Sequence, residues 1–123
     1  MGTLFDIEEP EIDFTITEEN ISCVHGRLEY YFDEDAAIVN SISVYLKRNG
    51  IGTKLVNEFE TLAKQNGLKI IEVPASPTKE AILFWKSLDY ISENKYWANK
   101  IIQSKKKTAW DTPQGVVVMT KQI

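Results

Sequence analysis

Apolar and polar positions along this chain change their period twice, and the changes mark out its elements. In residues 12–17, Ile12, Phe14 and Ile16 alternate with Asp13, Thr15 and Thr17, the period-two pattern of a half-exposed strand. Residues 21–32 are rich in β-branched and aromatic side chains, with Gly26 as a bend or bulge among them. Asp33, Glu34 and Asp35 form a polar turn, and residues 36–45 return as a second strand, so the pair predicts a β-hairpin. After Gly50 the period lengthens. Leu55, Val56, Phe59, Leu62 and Ala63 fall on one helical stripe, and Gly67 follows where such a helix stops. Residues 68–75 are a short apolar run that predicts a buried strand. Ser76 and Pro77 read as N-cap and first helical residue, and Ala81, Ile82, Trp85 and Leu88 supply a second buried helical face. Strand signals resume near Tyr90, and a basic polar loop leads into a last strand over 116–123. The predicted order is β-β-β-α-β-α-β-β, one α/β (α+β) domain with a single mixed sheet over 1–123 and a loosely held start at 1–11.

Composition narrows the chemistry. With 123 residues, 43% hydrophobic and 26% charged, the chain suits one globular domain that buries roughly two-thirds of its unfolded surface. Fourteen basic residues against eighteen acidic ones give a net charge of -4. This disfavours a nucleic-acid partner, which needs clustered positive charge to meet phosphates. A single cysteine, Cys23, excludes an intramolecular disulfide. Cys23 and the one histidine, His25, sit two residues apart and assemble no metal cluster, so no metal is expected. They read as packing residues rather than a nucleophilic pair. The first ten residues show no basic or apolar leader region, and the longest aliphatic run, 116–119, is far short of the ~20 residues of a membrane span. A cytoplasmic protein with no membrane contact is the expectation.

The segment that carries chemistry is K-R-N-G-I-G-T at 47–53, between a strand and an amphipathic helix. Gly50 and Gly52 let backbone approach a bulky anion, the helix start behind them offers unpaired N–H groups, and Lys47 and Arg48 add cations. Two readings stay level on these residues: a pyrophosphate cradle, or a tight turn that uses glycine for geometry alone. It is not a Walker loop and not a dinucleotide fingerprint.

Together with the strand before it, this segment resembles motif A of the GCN5-related N-acetyltransferases (GNAT), Q/R-x-x-G-x-G/A, with Lys47, Gly50 and Gly52 on its first, fourth and sixth positions. Residues 78–90, T-K-E-A-I-L-F-W-K-S-L-D-Y, resemble the second motif, N-x-x-A-x-x-F-Y-x-x-x-G-F, through Ala81, Phe84 and Tyr90. The resemblance spans roughly residues 21–123. It implies acetyl-CoA as co-substrate, bound where two parallel strands splay apart, and direct attack by an amine acceptor, small molecule or protein. Cofactor contacts would fall on Val44, Leu46, Lys47, Arg48, Asn49, Gly50, Ile51, Gly52, Thr53, Thr78 and Trp85. Three positions depart from the pattern. Trp85 stands where the family often has a tyrosine acid, Thr78 where it has asparagine, and Asn40 near the place of a catalytic glutamate. Proton handling would then move to Tyr90, Tyr96, Glu72 or water. Loss of the usual proton groups also fits a second reading, a non-catalytic CoA-binding or protein-interaction module on the same fold. The family's two helices after the first strand have no counterpart in the short acidic start, leaving an acceptor site that is open or completed by another subunit. A homodimer is one such arrangement. Lys105, Lys106 and Lys107 read as a solvated loop, with the 3′-phosphate of CoA as an alternative contact. Residues 33–35 read as a solvated turn or an acidic rim. Trp97 and Trp110 cap a sheet edge or meet a partner.

Overall fold

The sheet grows outward from one hairpin. The computed structural model describes residues 12–45, 50–106 and 108–123. In it β3 (Gly26–Phe32) and β4 (Ala37–Val44) run antiparallel, and the Asp33 carboxylate closes the turn by accepting the N–H groups of Asp35 and Ala36 at 2.8 Å each. β2 (Asn20–Cys23) pairs with β3, and the two-residue β1 (Thr15–Ile16) pairs with β2. The continuous strand expected over 21–32 is thus a hairpin: the chain reverses at Val24 and His25, and Cys23 faces Gly26. Neither residue is a habitual turn former. Gly26 is fixed by a close approach, since a Cβ there would lie 2.9 Å from the Ser43 carbonyl oxygen and 3.1 Å from Leu55.

Helix α1 (Ile51–Gln65) follows β4 and buries Leu55, Val56, Phe59 and Ala63, most of the stripe that periodicity predicts; Gly67 takes φ 79° just beyond it. β5 (Ile70–Ala75) lies parallel to β4, and α2 (Lys79–Ser87) follows. The N-cap of α2 is Thr78, not Ser76: its Oγ1 accepts the Ala81 N–H at 3.2 Å, and Pro77 precedes the helix instead of opening it. After the short β6 (Ile91–Ser92) comes α3 (Lys95–Gln103), a helix absent from the sequence expectation, capped by the Asn94 side chain. β7 (Val117–Gln122) closes the seven-stranded sheet in the order β1-β2-β3-β4-β5-β7-β6.

The helices share one side. α1 packs on β2, β3 and β4, α2 on β5, and α3 on α2. Inward positions alternate strictly along β3, with Gly26, Leu28 and Tyr30 buried and Arg27 and Tyr31 exposed. β5 shows the same alternation: Ile71, Val73 and Ala75 are buried while Ile70 and Pro74 are exposed. The buried strand expected over 68–75 is thus buried on one face, since no described helix covers the second face of the sheet.

Candidate active site

β4 and β5 are paired only at their amino ends, through Ala37–Ile71 and Ile38–Glu72. β4 continues to Val44 and β5 to Ala75, but among the described residues no further ladder joins them. Two features force the parting. β5 is held along its whole length by β7, from Ile70–Gln122 to Ala75–Val117. β4 carries an irregularity against β3: Ser41 faces Glu29 and Val39 faces Tyr30, so Asn40 is an extra residue without an opposite number. Such a bulge bends a strand and increases its twist, and this one falls two residues after the last pair with β5. The result is a V-shaped gap whose β4 edge presents main-chain N–H and C=O groups.

The amino end of α1 stands at the mouth of that gap. Gly50 is the N-cap, with φ 66° in the left-handed region, and no side chain caps this end. The first-turn N–H groups of Ile51, Gly52 and Thr53 have no in-helix acceptor among the described residues, and the helix dipole adds positive potential there. The two glycines do different things. Gly50 has open space around it and is required by its backbone angle, whereas a Cβ on Gly52 would lie 3.2 Å from the Phe84 ring and 3.5 Å from Val44. Phe84 thus bridges α2 to the start of α1 beside the mouth. It is part of the second motif but was not among the expected contacts.

Of the remaining expected residues, Leu46, Lys47, Arg48 and Asn49 lie outside the described residues, as does Lys107. Val44 is half-buried against the mouth, and the Ile51 side chain is in the core. The Thr78 hydroxyl is occupied by its cap bond. Trp85 is only 3% exposed and meets Phe84 and Tyr90 edge-on, with ring centroids 5.1 and 5.0 Å away. Glu72 is half-buried at the apex of the gap, its side chain on the open face of the sheet.

Tyr90 and Tyr96 have other surroundings. The buried Tyr90 hydroxyl lies 3.0 Å from Glu60 of α1, and Lys121 of β7 lies 3.1 Å from the same carboxylate. Burial pushes the Tyr90 phenol well above its usual range, and the neighbouring Glu60 charge adds to the rise. Tyr96 is 64% exposed and joins Trp97 and Trp110 around Lys100, whose Nζ stands 5.4 to 5.5 Å from the three rings. The Trp110 main-chain N–H donates to the Pro77 carbonyl at 2.9 Å, tying this segment to the turn before α2. The His25 carbonyl accepts the Tyr45 N–H at 2.8 Å, and no group of three metal-ligating side chains occurs among the described residues. No described helix is long and apolar enough to cross a membrane.

No protein-family model matches the sequence, and no curated protein matches it significantly. Solved structures do. The anti-CRISPR protein AcrVA5 superposes with a TM-score of 0.59 at 21% identity, covering 83% of this chain and 95% of its own. The ribosomal-protein-S18-alanine N-acetyltransferase from Escherichia coli gives 0.61 at 15% identity, covering 98% of this chain and 75% of its own. A GNAT family acetyltransferase from Elizabethkingia anophelis, solved with acetyl-CoA bound, gives 0.58 at 14% identity over 80% and 69%. The mixed seven-stranded sheet, the parted central strands and these superpositions agree: the chain has the GNAT acyl-CoA N-acyltransferase fold.

Proposed function

We propose that this chain is an acetyl-CoA-dependent N-acetyltransferase that moves an acetyl group to a primary amine by direct attack in a ternary complex. The observation that carries the reading is the parting of β4 and β5 beside the uncapped amino end of α1. The gap fits the ligand on this chain's own chemistry. The open β4 edge offers main-chain partners to the amides of a pantetheine arm, and the first turn of α1 offers N–H groups to a pyrophosphate. Main chain at Val44 and over 46–53 would hold these two parts, with the turn at Thr78 and the Phe84 ring as the opposite wall and the buried Trp85 supporting Phe84 from behind. The Elizabethkingia anophelis neighbour, which shares this fold and was solved with acetyl-CoA bound, supports the choice of ligand.

Acetyl-CoA supplies an activated thioester. The nitrogen lone pair of a neutral amine bonds to the carbonyl carbon, the carbon–sulfur bond breaks with its electrons on sulfur, and the nitrogen loses one proton. We assign that proton to Glu72, the side chain at the apex of the gap on the face an amine can reach. Tyr90 is a poor proton donor to the sulfur, because its phenol is buried, bonded to Glu60 and raised in pKa. The departing thiolate therefore takes its proton from water or from Glu72. Orientation of the two substrates supplies most of the acceleration, and a positioned base adds about 10²–10⁴-fold.

The test is calorimetric titration with acetyl-CoA and CoA, followed by amine-dependent release of CoA thiol. Micromolar binding with release supports the reading. Binding without release from any amine supports a non-catalytic CoA-binding module, and no binding up to millimolar ligand overturns acetyl transfer and leaves the fold as a scaffold for a protein partner. Glu72→Gln should lower kcat about 100-fold at neutral pH with the acetyl-CoA affinity unchanged. An unchanged kcat removes Glu72 from the mechanism.

A further inference from the structure

The connection between β6 and β7 is far longer than the sheet requires. The two strands are antiparallel neighbours, which a turn of about two to five residues can join, yet residues 93–116 run between them. That excursion holds α3, five lysines against one glutamate and one aspartate, and two of the three tryptophans, in a chain of net charge -4. Several of its residues are pinned. The Ser104 hydroxyl accepts the Lys106 N–H at 2.8 Å, the Trp110 main chain is tied to Pro77, and the Thr112 hydroxyl donates to the Val116 carbonyl at 3.1 Å. Long connections held in this way usually carry function.

Three donors meet at Trp110 without an acceptor. The ammonium groups of Lys100 and Lys106 stand 5.5 and 5.0 Å from the centroid of its ring. Among the described residues, neither has a carboxylate within ion-pair distance. The indole Nε1–H of the same ring is buried and has no hydrogen-bond partner. Two like charges on one ring repel, and a buried donor without an acceptor is costly. A carboxylate supplies the missing countercharge to both lysines and, as side chains shift, the missing acceptor to the indole. Beside this point lies an open depression of about 350 Å³, lined by Trp97, Thr112, Pro113 and Val117 among others. The Trp97 and Trp110 ring centroids are 6.3 Å apart.

We propose that this excursion docks an acidic segment of a protein partner. One carboxylate meets Lys100 and Lys106 at Trp110, and an apolar side chain two residues away enters the depression at Trp97. In an extended chain, residues i and i+2 point to the same side and lie about 6.6 Å apart, close to the separation of the two rings. A polynucleotide fits less well. It needs ring faces open to stacking, whereas Lys100 stands over all three rings, and the net charge of -4 repels a long polyanion. A membrane surface needs several exposed apolar side chains, and of the three rings only Tyr96 is mostly exposed.

The experiment titrates an end-capped nine-residue peptide into the 15N-labelled full chain and follows the indole N–H signals. The peptide is serine throughout, except for a central leucine and a glutamate two positions to either side, so either chain direction fits. The Trp110 signal, identified with Trp110→Phe, should shift saturably with a submillimolar Kd. Glutamine in place of both glutamates should weaken binding about tenfold, and serine in place of the leucine about five-fold. Lys100→Gln with Lys106→Gln should also cost about tenfold, with circular dichroism checking that the fold is retained. Equal affinity for the glutamate and glutamine peptides, or no saturable shift up to about 5 mM peptide, overturns the site. Tighter binding of a nine-nucleotide oligothymidylate or of phosphatidylserine vesicles assigns the surface to that ligand and overturns it as well. No cofactor enters the titration, so its result stands whether or not the chain transfers acetyl groups. A double lysine variant that loses its affinity for acetyl-CoA assigns the ammonium groups to the cofactor's phosphates and overturns the proposal; retained affinity supports it.

Discussion

Two residues sit in the left-handed backbone region at the two motifs, and the chain treats them differently. Gly50, at φ 66° before α1, is a glycine with no side-chain neighbour to displace. Asp89, at φ 71° after α2, is not a glycine, although the second motif has glycine in that place. Its N–H donates to the Lys86 carbonyl while the Tyr90 N–H reaches back to Trp85, the usual closure of a helix on a left-handed residue. An L side chain in this region costs about 1–2 kcal/mol, less for aspartate. Gly50→Ala should therefore lower stability by about 1 kcal/mol in urea unfolding, with weaker acetyl-CoA binding as the first turn of α1 shifts. Asp89→Gly should raise stability by about 0.5–1 kcal/mol, part of the strain relief being offset by the greater freedom of glycine in the unfolded chain. A destabilising Asp89→Gly would mean that the aspartate side chain makes a compensating contact. Gly52 shows what spacing alone misses. Its place in the motif is legible, but its tolerance is set by the Phe84 ring at 3.2 Å, which comes from a residue more than thirty positions away.

Between elements, the strongest polar tie is Tyr90–Glu60–Lys121, which joins the end of α2 to the third turn of α1 and to β7. The phenol is buried and its pKa is raised above the usual 10.0. A group whose folded pKa is raised keeps its proton in the folded state after the unfolded chain has lost it. Its contribution is therefore intact below pH 10 and declines as pH rises beyond that. The stability difference between the wild type and Tyr90→Phe should be flat from pH 7 to 9 and then fall by about 1.4 kcal/mol per pH unit above pH 10. A difference that stays flat through pH 11 would show an ordinary phenol. This tie was not legible in the sequence, because its partners are 30 and 61 positions apart. The missed α3 is another matter. Trp97, Ala98, Ile101 and Ile102 recur at helical spacing after Asn94, a good N-cap, and the signal was present but shorter than the pattern of α1. The hairpin at Val24 and His25 was hidden because its turn lacks the usual turn residues.

At the scale of the molecule, the sheet divides into two ribbons that share only two residue pairs at one end of a gap. β1 to β4 form one ribbon under α1, and β5, β7 and β6 form the other, joined to α1 through Phe84 and Glu60. Apart from the hairpin at Val24 and His25, the order of strands and helices up to β5 was legible because each change of hydrophobic period coincides with a change of element. The parting of the strands was legible only through resemblance, since it depends on the bulge at Asn40 and on the full pairing of β5 with β7, both properties of register rather than of composition. A ligand that fills the gap cross-links the two ribbons, and only the folded chain offers that arrangement. Binding therefore adds to global stability by mass action, about 2.7 kcal/mol at a ligand concentration 100 times Kd. For a chain of 123 residues this corresponds to a rise in Tm of about 10 °C. Acetyl-CoA and CoA should both give this rise, since the pantetheine and pyrophosphate they share make the cross-link. Adenosine 3′,5′-bisphosphate, which has no pantetheine arm to enter the gap, should give less than half of it. Equal rises for all three would locate binding at the α1 end alone, and the gap between β4 and β5 would then have no part in holding the ligand.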